Sequence, residues 1–208
     1  MPTEAQLRVQ AYTAVVLGAS GLIHFALDSW VTRVGQVIGI GPRTPFMTSN
    51  DNGGGTPLNA SESSRHASQL LWGAATRLNA EMSALESAIL SPTSTAPYSV
   101  AFNGNNLSAT PLRSVLKVDP TRGLVLIVVN VDAGTMHGRI SFESAVVPRP
   151  ASSYVQVLFE GSTDLEKGKE DASSRRLPVA NASSSSGAAG WSITDFFGGF
   201  ESHVFALA

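Results

Sequence analysis

Apolar residues recur at every third or fourth position in two separated stretches: Leu7, Ala11, Ala14, Val15 and Gly18, then Leu70, Ala74, Leu78, Met82, Leu85 and Ile89. That spacing puts each set down one face of an α-helix. Thr3-Glu4-Ala5-Gln6 opens the first helix as a capping box, the Thr hydroxyl and the Gln amide each reaching a free backbone N–H. Glu4 also suits the positive end of the helix dipole. Gly18 and Gly21 end this helix, and Ser91-Pro92 stops the second, because proline cannot continue the hydrogen-bond ladder. Between them Leu22–Leu27 (LIHFAL) is a nearly all-apolar run of strand length, suited to a strand buried on both faces in a parallel sheet. Residues 28–64 show no sustained period and contain GIGPRTP and NDNGGGTP, which predicts a long loop.

After Pro97 the texture changes to short apolar runs between turn signals. The runs predict strands at Tyr98–Asn103, Leu112–Asp119, Leu124–Val131, His137–Glu143, Tyr154–Phe159, Trp191–Phe196 and Ser202–Leu207. Asp119-Pro120, Asp132-Ala133-Gly134 and Gly198-Gly199 supply turns. Val115, Leu126, Val128, Ile140, Val157, Phe159, Val204 and Phe205 are the expected inward residues. Charges followed by SSSSGAAG lead us to expect a disordered insertion near residues 162–190. The predicted fold class is α+β. A helix–strand–helix segment spans residues 1–92 and an antiparallel β-sandwich spans residues 97–208.

Composition narrows the partners. Charged residues are 14% of the 208 and the formal net charge is -2, so no basic excess draws the chain to nucleic acid or to an anionic membrane. There is no cysteine, which excludes disulfides, thiolate metal sites and cysteine nucleophiles. No apolar run approaches the roughly 20 residues of a membrane helix. The start, MPTEAQLRVQ, lacks the form of a signal peptide, and localisation stays open. His66, His137 and His203 share no metal-ligand spacing, so neither metal nor cofactor is expected. His137 and His203 read as surface or half-buried, Trp72 and Trp191 as core or interface anchors. Glu81 and Glu86 fall off the apolar stripe and read as solvated charges, as do Asp164, Glu166, Glu170 and Asp171 among Lys167 and Lys169.

Three stretches carry a resemblance. LRVQAYTAVVLGASGLIHFALD (Leu7–Asp28) resembles the last helix-to-strand passage in the barrel of clan A-type glycoside hydrolases. LNAEMSALESAIL (Leu78–Leu90) resembles their final barrel helix. GLVLIVVN, VQVLFE and DFFGGFESHVFAL resemble the β-domain that closes many such enzymes. The resemblance implies that the first part is a remnant of a (β/α)8 barrel and that the whole is the C-terminal part of an enzyme hydrolysing glycosidic bonds.

Such enzymes need two carboxylates about 5 Å apart when they retain configuration. In the family pattern these lie on earlier strands, so no catalytic residue is expected within this chain, and the missing N-terminal barrel portion becomes a partner. Ligand contacts in a barrel come from strand C-terminal ends and the loops after them, which implies His24, Asp28 and Trp30 as substrate-binding residues for carbohydrate. Trp30 would stack on a sugar ring or pack against the loop. Asp28 would bond hydroxyls or cap the loop, and His24 lies inside the strand. The alternative reading is a non-catalytic carbohydrate-binding or interaction module whose platform would be Tyr98, Tyr154, Phe159 and Trp191.

Overall fold

The computed structural model of the chain describes residues 3–22, 30–31, 37–38, 62–104, 111–159, 175–183 and 189–207. Helix α1 (Glu4–Val16) begins at the expected capping box. Thr3 Oγ1 accepts from the Gln6 N–H at 3.2 Å, and the Gln6 side-chain oxygen accepts from the Thr3 N–H at 2.9 Å. It ends at Gly18, whose φ of 100° reverses the chain. There the N–H groups of Gly18 and Ala19 return to the carbonyls of Val15 and Ala14, both at 2.9 Å, which satisfies the last free carbonyls.

The second helical stretch is broken into α2 (Glu62–Ala84) and α3 (Glu86–Leu90) at Leu85. Its buried stripe is Leu71, Ala74, Ala75, Leu78, Leu85, Ala88 and Ile89, with Glu81 among them. Leu70, expected on this stripe, is instead 59% exposed, because the buried face is one position further along.

All seven strands predicted after Pro97 form. After a two-residue pair, β1 (Trp30–Val31) and β2 (Val37–Ile38), come β3 (Tyr98–Gly104), β4 (Leu112–Asp119), β5 (Gly123–Asn130), β6 (Met136–Glu143) and β7 (Tyr154–Leu158). Then follow β8 (Arg175–Pro178), β9 (Ala180–Ser183), β10 (Ala189–Phe197) and β11 (Ser202–Ala206). Strands β8 and β9 correct the expectation of disorder across 162–190. Arg175–Pro178 pairs with β7, and Ala180–Ser183 pairs with β10. Leu177 and Val179 are buried there, two apolar positions that the surrounding Ser, Arg and Lys obscured. Pro178 is tolerated because β8 is a sheet edge, where one N–H fewer leaves no ladder bond unmade.

The strands form a five-stranded sheet, β4-β5-β11-β7-β8, and a four-stranded sheet, β3-β6-β10-β9, antiparallel throughout. Their facing sides share one core that includes Leu116, Leu126, Val128, Ile140, Phe142, Trp191, Phe197 and Phe205. The other side of the five-stranded sheet carries Val115, Val125, Ile127, Val129 and Val204, and the helices cover it with Leu7, Tyr12, Leu71, Leu78 and Leu85. The described residues are therefore arranged in three layers: helices, a five-stranded sheet and a four-stranded sheet. Strand β5 lies in the middle layer and is buried on both faces, which is why its sequence does not alternate. Val115 and Val204, expected inside the sandwich, instead face the helices, as does half-buried Phe159.

Candidate functional site

The residues singled out for ligand contact fall mostly outside the described residues. His24 and Asp28 lie there, with Ile23–Leu27 and the acidic loop from Asp164 to Asp171. Trp30 sits in β1 opposite Ile38 of β2. Leu22, the last described residue before this stretch, is packed against the helical core.

Beside Leu22 a cleft of about 300 Å³ opens between the end of α1 and the α2–α3 junction. Val15, Leu22, Met82 and Ile89 make its walls apolar, while Ser20, Asn79, Ser83 and Glu86 supply polar groups. Glu86 is exposed, as the sequence predicts, and is the only acid lining the cleft among the described residues. One carboxylate cannot act as both acid and nucleophile, so the described lining supplies one of the two groups a retaining glycosidase needs.

Three polar clusters hold the layers. In the helical layer, Glu81 is only 7% exposed, contrary to its reading as a solvated charge. Its Oε2 accepts from Arg8 Nε at 3.0 Å and from the Tyr12 hydroxyl at 2.8 Å. Burial, with the Glu81 charge beside it, pushes the Tyr12 phenol well above its ordinary range. Arg8 also donates from Nη1 to the Ser202 hydroxyl at 2.8 Å and to its carbonyl, tying α1 to β11.

The second cluster lies between the sheets. His203, only 2% exposed, corrects the expectation of a surface or half-buried histidine. Its Nδ1 lies 2.7 Å from Asp195 Oδ2, and its ring stacks on Phe197 with centroids 4.4 Å apart. Asp195 also accepts two bonds from Arg175, at 2.5 and 2.8 Å, and one from the Phe196 N–H. On the other side of the ring, Glu201 Oε1 is 3.4 Å from His203 Nε2. Burial opposes the Asp195 charge, yet the bonds from His203 and Arg175 hold its carboxyl below the usual range. Glu201 is lowered too, chiefly by His203.

The third cluster is Asp119 at the β4–β5 turn. It accepts from the Thr121 N–H and hydroxyl at 2.7 and 2.6 Å, the Arg122 N–H at 3.0 Å and the Ser87 hydroxyl at 2.9 Å, joining the turn to α3.

His203 and Asp195 have the side-chain contact of a catalytic dyad. The neighbouring Ser202 hydroxyl projects from the opposite face of β11, toward Arg8. No group of acids and histidines suited to a metal ion occurs among the described residues. Strand parity could have located this pair: Asp195 shares the inward phase of Trp191 and Phe197, and His203 that of Phe205. Trp191 is fully buried as an anchor, stacked on Phe142 and donating from its indole to the Val147 carbonyl at 2.9 Å. His137 is exposed. No family model, curated protein or solved structure matches the chain. No helix among the described residues is long and apolar enough to cross a membrane.

Proposed function

We propose that this chain is the C-terminal part of a (β/α)8-barrel glycoside hydrolase, contributing part of the substrate cleft and an accessory β-domain and inactive alone. The observation that carries the reading is the direction of the two helices. Glu4 meets Arg77, Arg8 and Tyr12 meet Glu81, and Val15 shares the cleft with Met82 and Glu86. The contacts advance together along both helices, so α1 and α2 run side by side in the same sense. Neighbouring parallel helices require the intervening chain to travel back the length of a helix, about 35 Å for one of this size. In a barrel the strand between two helices makes that return. The reading assigns most of it to the apolar run Leu22–Leu27, about 20 Å when extended, and the rest to the residues between that run and α2. It leaves Asp28 and Trp30 just beyond the strand end, where sugar would bind, with His24 inside the strand.

The test compares two proteins on a panel of aryl glycosides. The 208-residue chain is expected to give no turnover. A longer protein supplying the earlier barrel strands is expected to be active, with Trp30→Ala lowering kcat/KM by the worth of one stacking face, about 1 kcal/mol. Turnover by residues 1–208 alone, abolished by mutating one of their acids, would sink the proposal. The alternative of a carbohydrate-binding module finds less support. Of its four platform aromatics, Trp191 is buried, Tyr98 and Phe159 are half-buried, and only Tyr154 is exposed.

A further inference from the structure

We propose that His203 is held as an imidazolium bridging Asp195 and Glu201, a proton-dependent latch that ties the turn between β10 and β11 to the core between the two sheets. The geometry of the two ring nitrogens carries this. Each has a carboxylate oxygen nearby: Nδ1 is hydrogen-bonded to Asp195 at 2.7 Å, and Nε2 lies 3.4 Å from Glu201 in an ion-pair contact that is not a hydrogen bond. A neutral ring has one N–H and one lone pair. Either neutral tautomer would therefore aim a lone pair at a carboxylate, whereas the imidazolium presents an N–H to both. Neither acid is placed to give up its charge instead. Asp195 is held by both terminal guanidinium nitrogens of Arg175, and Glu201 is partly open to solvent and accepts from the Gly198 N–H.

The groups around the ring come from every neighbouring element. Strand β10 offers Asp195, β8 offers Arg175 through Asp195, and the turn offers Glu201. Arg8 of α1 lies close enough to act on the Glu201 charge. The Phe197 and Phe205 rings also lie against it, and Val128 of β5 pairs with His203. Loss of the proton would set a lone pair against Glu201 and release the turn that Glu201 holds through Gly198. The latch is thus fully made below the ordinary imidazole value, about 6.5, and is lost as pH rises through the value the folded ring holds.

Nitrogen-15 NMR of the imidazole rings in the full chain, from pH 5 to pH 9, reads the proton directly. His203 is assigned by its contacts to the Phe197 ring. Both of its nitrogens are expected to be protonated at pH 7, with a midpoint above the ordinary imidazole value, and the Gly198 amide shift should follow the same midpoint. Glu201→Gln should lower the His203 midpoint. A neutral His203 ring at pH 7, or a midpoint unaffected by Glu201→Gln, would overturn the proposal.

Discussion

Arg8 Nε and Glu81 Oε2 meet at 3.0 Å although 73 positions separate them, and Glu81 is the more deeply buried of the two. A carboxylate in that position survives only because Arg8 and Tyr12 both donate to it. Removing it strands a guanidinium and a phenol inside the helical layer. We expect Glu81→Ala to cost about 3 kcal/mol, the lower end for breaking a buried pair because Arg8 keeps some solvent contact. Urea unfolding measures it, and Arg8→Met/Glu81→Leu should recover part of the loss. A cost under about 1 kcal/mol would mean that water substitutes for the pair.

The helices share a core with β5, so the two parts of the chain should open together. Native-state hydrogen exchange is expected to give amides of Leu7–Val15 and Leu78–Leu85 protection comparable with Val125–Val129. Exchange in α1 faster by a factor of about 100 or more would instead place the helical layer in a separate, weaker unit, a gap of about 2.7 kcal/mol.

Asp119 sets part of the acid limit. Burial alone would raise its carboxyl, but the bonds from Thr121, Arg122 and Ser87 outweigh burial and hold it well below the usual range. A group lowered by folding contributes stability above its unfolded value, about 3.9, and loses it as pH falls through its folded value. Asp119→Asn should therefore lower Tm clearly at pH 7, and the gap to the parent protein should narrow below about pH 4. A gap of the same size at pH 7 and pH 2.5 would show that shape, and not charge, is the source.

Local chemistry made much of this protein legible from residues alone. The Thr3–Gln6 capping box, the chain reversal at Gly18 and the stop at Ser91-Pro92 each depend on neighbours within four positions, and each forms where the sequence predicts. Strand β4 runs from Leu112 to Asp119 as read, because a short apolar run closed by Asp119-Pro120 is a local signal too. Strands β8 and β9 were hidden because Leu177, and Val179 between the two edge strands, are the buried positions in a stretch of arginines and serines that carries little periodicity.

Tertiary structure decided what each buried face meets. A run such as Leu124–Val129 announces burial on two sides, yet nothing within it says that Val125, Ile127 and Val129 face helices while Leu126 and Val128 face a second sheet. The same holds for polar residues. Asp195 and His203 lie on inward positions that strand parity could reveal, but Glu81 looked solvated because its partners, Arg8 and Tyr12, are on another helix. A charge is affordable in the interior only when its counter-charge arrives with it, and that arrival is set by how distant segments pack.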